Sequence, residues 1–279
     1  MLGPGLIGGS LLLAMRERMP TTEIRAWARR QEAVDQMTSQ PGLVDFASCS
    51  VGEVVESADL AILAMPIGAM AEVVSQFPES LSSESLLVTD VGSVKGSVMR
   101  EIGTLVREKG AHFVGSHPMA GSEKKGLDHA AADLFVDAAV ILTADGSDGR
   151  EESDLEKLRF FWGLLGSRVS SMSAQRHDEL VGWISHLPHL VAAALSRVVL
   201  GTESEAGEYS GGGLRDTTRV SGGPEDMWTG ILCDNRSVLS EQLGRFIEEL
   251  ESWKMALDEL DRDQLRGFLS EARRFRETL

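Results

Sequence analysis

The chain has 279 residues, which is enough for two domains with full hydrophobic cores. Its residues are 42% hydrophobic and 25% charged, a balance typical of globular proteins that excludes a disordered or fibrous chain. The formal net charge of -16 repels nucleic acid and anionic lipid, so we expect a small-molecule partner, with no nucleic acid and no membrane.

The cysteine and hydropathy patterns bear on the compartment. Cys49 and Cys233 form neither a C-x-x-C pair nor a zinc spacing, which predicts a reducing compartment, by default the cytoplasm, and no metal site. No uninterrupted apolar stretch approaches the roughly 18 residues that span a bilayer. We therefore expect no membrane-embedded segment.

The chain begins MLGPGLIGGS, in which Gly3, Gly5 and Gly8 form a G-x-G-x-x-G motif. A predicted helix over residues 10–19 follows, and then a predicted strand that ends near Trp27. In a Rossmann-type fold, the first glycine makes a tight turn, the second lets the backbone approach a pyrophosphate, and the third permits close packing. The residues predicted to contact a dinucleotide here are Gly3, Gly5, Leu6, Ile7 and Gly8.

The strand that normally precedes such a turn is central in the sheet, and Met1 and Leu2 are too few to form it. Every later motif is in place, which favours a start site assigned too late. We therefore expect a truncated first strand, with a native apolar strand of about five or six residues preceding Gly3.

The residues after the next strand indicate which cofactor binds. About 20 residues past the glycines, NAD enzymes usually place an acid against the ribose, whereas NADP enzymes place Arg near the 2'-phosphate. The chain has Ala28, Arg29 and Arg30 there, so an acid is missing and two cations are present. Arg29 and Arg30 favour NADP over NAD, and the alternative is an incidental pair of surface charges.

Short apolar runs alternate with helix-compatible segments up to about residue 150. This alternation predicts a doubly wound α/β domain with a mostly parallel sheet. The runs with the strongest strand pattern are residues 23–27, 58–64, 86–90, 111–115 and 138–143.

Loops that follow strands build the ligand crevice in such a fold. Met65 and Pro66 follow one predicted strand, so we expect them to contact the cofactor. Ser93 and Lys95 follow the next strand, where Ser93 could bond a substrate hydroxyl or an imidazole and Lys95 could serve an anion. Both loops could equally be helix caps.

His117 follows a further strand, within GSHPMAGSE. A histidine held at a strand end beside a rigid proline suits a general base that works near neutral pH. Judged alone, His117 is almost as well explained as a structural histidine.

The second half of the chain predicts helices. The turn-rich residues 145–149 place the domain boundary near residue 150, which divides the chain into 1–150 and 151–279. Residues 177–200 predict one long, largely apolar helix, kinked at Pro188 and buried in the protein or at a subunit contact. A second apolar seam at spacings of four and three predicts a partner helix and a dimer. Its residues are Leu239, Leu243, Phe246, Leu250, Trp253 and Leu257.

A glycine-rich stretch leads into Arg215 and Arg219. If this stretch is helical, the two arginines share a face, and the planar guanidinium suits a substrate carboxylate. Asp216 could pair with Arg219 instead, which would make that arginine structural.

Five motifs, taken together in order and spacing, resemble the prephenate and arogenate dehydrogenase family of tyrosine biosynthesis. The resemblance runs from residue 3 to about residue 236. It implies a Rossmann-type dinucleotide-binding domain followed by an all-helical dimerisation domain, and an NAD(P)-dependent oxidative decarboxylation of a cyclohexadienyl substrate. The motifs are the glycine turn, DVGSVKG (90–96), HPMAG (117–121), SHLPH (185–189) and LRDTTR (214–219).

The resemblance also implies a role for each matching residue. His117 would take the proton of the ring hydroxyl while hydride leaves the same carbon for the nicotinamide. Ser93 would hold that hydroxyl and orient His117, and Arg219 would bind a substrate carboxylate. Four further residues implied in substrate binding or in support of the site are Ser185, His189, His186 and His177.

Two other functions share parts of this pattern. A β-hydroxyacid dehydrogenase has the same two-domain plan and uses a lysine of the helical domain, but no lysine occurs between Lys157 and Lys254. A non-catalytic NADP-binding protein could also use the fold. The presence of His117, Ser93 and Arg219 argues against the second alternative.

Overall fold

The computed structural model describes residues 1–79, 86–121, 124, 126–144, 146 and 150–278. Apart from Gly146, the turn predicted over 145–149 lies outside the described residues. In chain order the elements of the first domain are α1 (Leu6–Arg18), β1 (Arg25–Trp27), α2 (Gln31–Thr38), β2 (Phe46–Ser48), α3 (Val51–Val55), β3 (Leu60–Leu63), α4 (Ile67–Ser75), β4 (Leu87–Asp90), α5 (Gly96–Glu108), β5 (His112–Phe113), β6 (Gly115–Pro118), a 3₁₀ turn (Leu127–His129), β7 (Ala139–Thr143), α6 (Glu151–Leu164) and β8 (Arg168–Ser171).

All five predicted strands are present, with ends that lie within two residues of those predicted. β1 pairs with β2, and β3 pairs with β4 and then β5, all in parallel, as expected for a doubly wound domain. The chain continues from β5 into β6, which pairs antiparallel with β7. The carboxyl ends of the parallel strands place their loops along one edge, where the glycine turn also lies.

Leu2 occupies the position of the central strand, between β1 and β3. It forms parallel bridges to Trp27 and Leu63 and is fully buried. The Leu2 N–H donates to the Ile62 carbonyl (2.9 Å), and the Leu2 carbonyl accepts from Ala64 (2.7 Å). Leu2 forms isolated bridges and no strand precedes α1, in keeping with the prediction that Met1 and Leu2 are too few to form this strand. Leu2 nevertheless joins the two halves of the sheet and supports the glycine turn.

The sheet extends beyond the predicted boundary at residue 150. β8 lies after α6 and pairs in parallel with β7. The expectation that strands end before residue 150 is wrong, because the sequence Arg-Val-Ser-Ser of β8 holds a single apolar residue and gives no strand pattern. Its side chains are mostly exposed, as expected at a sheet edge.

Every described element after β8 is helical, which confirms the expected helical second domain. A continuous helical stretch, 174–202, opens this domain and consists of α7 (Ala174–Val181), a π-helical segment (Gly182–His186) and α8 (Leu187–Thr202). The remaining helices are α9 (Ala206–Tyr209), α10 (Gly212–Thr218), a 3₁₀ turn (Arg219–Gly222), α11 (Glu225–Asp234), α12 (Arg236–Asp258) and α13 (Arg262–Arg276).

The π-helical segment lies directly before Pro188, where we predicted a kink. The Leu187 N–H donates to the Gly182 carbonyl, which is a wider turn than in an α-helix. Pro188 explains the irregularity, because its ring would clash with the Ile184 carbonyl in a regular helix.

The stretch Ala174–Thr202 is long and apolar enough to cross a membrane by length and composition alone, which the buried core helix of a soluble protein can also be. Only 22% of its most apolar window is buried. The same stretch carries buried, hydrogen-bonded His177 and Asp178, polar side chains that are expensive within a bilayer. Exposed Val198 and Leu200 give its far end an apolar surface.

The predicted seam lies on α12, and α13 packs against part of it. The Trp253 and Phe268 rings lie 5.0 Å apart between these two helices. Leu250 and Leu257 remain 51% and 58% exposed, so α13 covers the seam incompletely. The single chain therefore leaves apolar surface on α12 uncovered.

Candidate active site

The glycine turn has the geometry that a dinucleotide requires. Gly3 has a φ of 99°, and a Cβ there would lie 2.7 Å from the Ala64 carbonyl oxygen. A Cβ on Gly8 would lie 2.0 Å from the Gly3 carbonyl oxygen, so only glycine lets α1 pack against the turn. A Cβ on Gly5 would meet open space, which leaves room for a ligand at the backbone.

The amino end of α1 is suited to an anion. Gly5 caps the helix without a side-chain hydrogen bond, and the first turn carries no acidic residue. The first N–H groups of a helix have no internal partner and lie at the positive end of its dipole. The amides after Gly5, those of Leu6 and Ile7, are therefore placed to bind a pyrophosphate.

The other predicted cofactor residues lie around this turn. Arg29 and Arg30 lie between β1 and α2, both exposed and without an acidic partner in the described part of the chain. Met65 and Pro66 follow β3, and the Met65 Cβ would lie 3.4 Å from a Cβ on Gly3. The structure thus brings the three predicted cofactor segments to one edge of the sheet.

Lys95 is structural rather than a free cation. Its side chain is fully buried and its Nζ pairs with Asp90 Oδ2. Asp90 also accepts the Gly92 N–H (2.7 Å) and the Ser116 N–H (3.2 Å). The expectation that Lys95 serves an anionic ligand is wrong, because Asp90 already takes its charge and holds the two loops together.

His117 begins a chain of hydrogen bonds that crosses from the first domain to the second. Its Nδ1 lies 2.8 Å from His177 Nε2, and His177 Nδ1 lies 2.8 Å from Asp178 Oδ1. The Asp178 carboxylate in turn accepts the backbone N–H groups of Lys95 (2.8 Å) and Gly96 (2.7 Å) at the amino end of α5. The three side chains form what we call the His117–His177–Asp178 chain.

The carboxylate sets the direction of every bond in this chain. An ionised carboxylate only accepts, so His177 donates to Asp178 from Nδ1 and, when neutral, accepts at Nε2. His117 must then donate from Nδ1, which leaves a lone pair on its Nε2. In the described part of the chain His117 Nε2 has no hydrogen-bond partner, so it is available to take a proton.

Burial and charge keep the two histidines neutral near pH 7. Burial lowers the pKa of His117 well below its ordinary value, and the neighbouring His177 and Lys95 lower it further. Burial also lowers the pKa of His177, against the opposing effect of Asp178. Burial would raise the pKa of Asp178, but the bonds from His177 and from the α5 amides lower it below its usual range.

Ser93 is half-buried in the loop before α5 and makes no hydrogen bond to His117 among the described residues. The resemblance implied that Ser93 orients His117. In the structure His177 contacts the Nδ1 of His117 instead, so His177 orients the His117 ring through that nitrogen. A role for Ser93 toward a substrate hydroxyl is a separate prediction.

The remaining predicted histidines lie on the same long helix. His186 and His189 are buried, and His189 stacks on Trp228 with ring centroids 3.4 Å apart. Burial lowers the pKa of His186 to about 4 and lowers the pKa of His189, which a bond to the Val220 backbone partly opposes. Ser185 is half-buried in the π-helical segment beside His186.

Arg219 lies at the end of α10, exposed and without an acidic partner among the described residues. The alternative that Asp216 holds it is therefore not the arrangement observed. Arg215 instead donates to the Ser210 hydroxyl at 3.3 Å. Of the two arginines, Arg219 is the one with a free guanidinium.

Three residues of this site are not among those predicted from the sequence. Asp178 stands next to His177 in the chain, and that adjacency was the one available signal. Asn235 contacts His186 and Trp228 contacts His189, and no spacing in the sequence indicates either contact.

The described residues contain no group of three or more His, Cys, Asp or Glu side chains placed to hold a metal ion.

Comparison with protein families gives two matches that together span most of the chain. Residues 12–171 match the nucleotide-binding domain of prephenate dehydrogenase. Residues 173–271 match the dimerization domain of prephenate dehydrogenase. The division between the two matches falls directly after β8.

Individual relatives agree with the family match. The cyclohexadienyl dehydrogenase of Zymomonas mobilis is 32% identical over 99% of this chain and 93% of its own length. The prephenate dehydrogenase of A. aeolicus, solved with hydroxyphenyl propionate and NAD+, superposes with a TM-score of 0.89 at 29% identity, over 99% of this chain and 95% of its own. The arogenate dehydrogenase of Synechocystis superposes with a TM-score of 0.82 at 28% identity, over 99% of this chain and 98% of its own. The chain belongs to the prephenate dehydrogenase family.

Proposed function

We propose that this protein is an NAD(P)-dependent dehydrogenase that oxidatively decarboxylates prephenate or arogenate in tyrosine biosynthesis. The observation that carries the proposal is the His117–His177–Asp178 chain, which leaves a lone pair on His117 Nε2 within the nucleotide-binding domain. Family membership supports the reaction class, since the relatives named above are prephenate, cyclohexadienyl and arogenate dehydrogenases.

The chain's own chemistry in this reaction is a proton transfer. A bound nicotinamide supplies the hydride acceptor. His117 Nε2 takes the proton of the ring hydroxyl as that carbon is oxidised, and His177 and Asp178 stabilise the positive charge that His117 gains. Loss of carbon dioxide then makes the ring aromatic, and His117 returns the proton to the oxygen. His117 is therefore neutral again at the end of the reaction, as it was at the start.

The glycine turn and the amino end of α1 fit a dinucleotide. We propose that Gly3, Gly5 and Gly8 shape this site, since Gly5 alone of the three has open space beside its backbone. The amides of Leu6 and Ile7 would hold the pyrophosphate, with Met65 and Pro66 beside them.

NADP is the favoured cofactor of the two. Arg29 and Arg30 follow β1 without an acidic partner among the described residues, and Ala28 stands where NAD enzymes usually place an acid. A 2'-phosphate would give the two cations a partner. The NAD+ complex of the A. aeolicus relative keeps NAD as the alternative.

Substrate binding falls to the helical domain in this proposal. Arg219 would bind a substrate carboxylate through its planar guanidinium, and its charge helps a dianion approach a protein of net charge -16. Ser185 and His189 would contact the side-chain end of the substrate. Ser93 would bond the ring hydroxyl from the opposite loop.

We also propose a homodimer in the cytoplasm. The matched dimerization-domain model and the uncovered apolar surface on α8 and α12 support the dimer. Cys49 and Cys233 are both free and exposed, in keeping with a reducing compartment. We propose no nucleic-acid or membrane partner, on the grounds of net charge and of the polar side chains within the long helix.

The experiment that tests the proposal is an assay of the purified protein with prephenate and arogenate, each with NADP and NAD. Reduction of the nicotinamide accompanied by release of carbon dioxide supports it, and the ratio of kcat/KM values identifies the preferred pair. A protein that turns over neither substrate with either cofactor would favour the alternative of a non-catalytic NADP-binding protein. Preference for NAD would show that Arg29 and Arg30 are incidental surface charges.

A further inference from the structure

Asn235 lies between α11 and α12, next to the candidate site but without a role in the mechanism above. Its side chain is 2% exposed. The amide Nδ2 lies 3.0 Å from the main-chain oxygen of Asp178 and 3.0 Å from Nδ1 of His186. One amide group thus contacts both the backbone of the His117–His177–Asp178 chain and the ring of His186, which lies outside that chain.

These two contacts fix the direction of both hydrogen bonds. A main-chain carbonyl only accepts, so the amide nitrogen of Asn235, and not its oxygen, faces Asp178. The second hydrogen of the same NH₂ group is then donated to Nδ1 of His186. A neutral imidazole that accepts at Nδ1 carries its proton at Nε2. Burial lowers the pKa of His186 to about 4, which keeps the ring neutral near pH 7.

The Nε2–H group of His186 has no partner among the described residues, although the atom is buried. A buried donor without an acceptor costs free energy, so such groups are rare unless something else satisfies them. A charge on His186 would lower the pKa of His117, and Asn235 links His186 to the backbone of Asp178. The unsatisfied donor therefore lies on a ring that Asn235 connects to the His117–His177–Asp178 chain.

We propose that Asn235 is a positioning residue, which holds His186 as an Nε2–H donor for an oxygen atom of the bound substrate. This inference rests on the proposed function and adds the substrate group that the site recognises. The group is a carboxylate or keto oxygen, which accepts, and not an ammonium, which only donates. Asn235 acts through His186 and does not touch the substrate.

The tautomer can be measured without turnover. The chain has six histidines, so long-range ¹H–¹⁵N spectra of ¹⁵N-histidine-labelled protein are tractable, and His186→Gln identifies the His186 signals. We expect the Nε2–H pattern for His186 in the unchanged protein. In Asn235→Leu, which removes the donor at similar volume, we expect that pattern to weaken or reverse. An Nδ1–H pattern in the unchanged protein would overturn the proposal.

Affinity for hydroxyphenyl propionate, which carries a carboxylate, tests the link to the ligand. A glutamine amide reaches the position of an imidazole Nε2, whereas the shorter asparagine amide reaches only that of Nδ1. We expect Kd to rise about tenfold in Asn235→Leu and in His186→Asn, and by about threefold or less in His186→Gln. If Asn235→Leu does not fold, the tautomer of His186 in the unchanged protein and the affinities of the two His186 variants still test the proposal.

If all three variants bound hydroxyphenyl propionate as tightly as the unchanged protein, the proposal would be overturned, since His186 would then contribute no hydrogen bond to the ligand. The proposed function fails separately. A protein with the Nε2–H pattern and the expected ranking of affinities that turns over neither prephenate nor arogenate would contradict the reaction and support the role of Asn235.

Discussion

The Nε2 atom of His177 lies 2.8 Å from the Nδ1 atom of His117, and this contact joins the two domains at the candidate base. Because His177 also bonds Asp178, the contact determines which nitrogen of His117 keeps its lone pair. The helical domain therefore sets the tautomer of a histidine carried by the sheet domain.

Replacing Asp178 by Asn should disable the base while leaving its position nearly unchanged. An amide can donate to His177 Nδ1, which would then carry no proton, and the donor pattern through to His117 would reverse. We expect kcat to fall on the order of 10²–10⁴-fold, the usual contribution of general base catalysis. Steady-state assays with saturating cofactor measure it.

The matched control for this variant is Glu179→Gln. Glu179 is the next residue, and its carboxylate bonds exposed Gln175 and not the histidines. We expect its kcat to stay within about twofold, since a surface substitution of this kind is usually nearly neutral. Equal losses in the two variants would show that loss of charge alone, and not the Asp178 bond, lowers activity.

The glycine turn offers a pair of substitutions with opposite effects. Gly8→Ala should destabilise the fold by about 1–3 kcal/mol, because its Cβ would overlap the Gly3 carbonyl. Gly5→Ala should leave stability nearly unchanged, because Gly5 has a φ of -75° and open space around its Cβ. We expect Gly5→Ala to raise KM for the cofactor instead. Denaturant unfolding and cofactor kinetics on both variants check this, and an unchanged cofactor KM in Gly5→Ala would move the dinucleotide away from the turn.

Arg219→Ala should mainly raise KM for the substrate. A hydrogen bond to a charged group is worth about 1.5–3 kcal/mol, so we expect roughly a 10–100-fold increase with a smaller change in kcat. Arg215→Ala is the neighbouring control, since its guanidinium bonds Ser210. An equal increase in KM for Arg215→Ala would contradict the assignment of the substrate carboxylate to Arg219.

Acid should reduce the free energy of unfolding in a pH range that buried His186 defines. Its pKa is about 4 in the folded protein, against about 6.5 in the unfolded chain. The stability that neutral, buried His186 contributes is fully present above pH 6.5. It is lost as the pH falls toward 4, because the His186 side chain of the unfolded protein binds a proton at a higher pH than that of the folded protein. We expect His186→Gln to remove about 2 kcal/mol of the stability difference between pH 7 and pH 5. Urea unfolding at both pH values measures this, with exposed His129→Gln as control, and an unchanged pH dependence would contradict the assignment.

The sequence predicts the sheet domain well because buried parallel strands are continuous apolar runs bounded by turns. β8 gives no such pattern, because an edge strand needs few apolar residues. Leu2 is a different case, since one residue is too short for any periodicity. Its place in the central strand follows from the flanking strands, which are distant in sequence.

The candidate site was predictable where motifs carry it and not where tertiary contacts do. His117 stands out by its neighbours in the chain, and the glycine turn by its spacing. Lys95 misleads, because nothing in the sequence indicates that Asp90, at the end of β4, takes its charge. The role of Asn235 could not be predicted for the same reason, since its contacts with Asp178 and His186 join segments far apart in the chain.

The most direct test of the account is the kcat of His117→Ala, measured with the substrate and cofactor pair that the unchanged protein prefers. Exposed His129→Ala is the control, and cofactor affinity shows that the variant is folded. We expect His117→Ala to lower kcat by roughly 10²–10⁴-fold or more while the Kd for the cofactor stays nearly constant. Turnover close to that of the unchanged protein would contradict it.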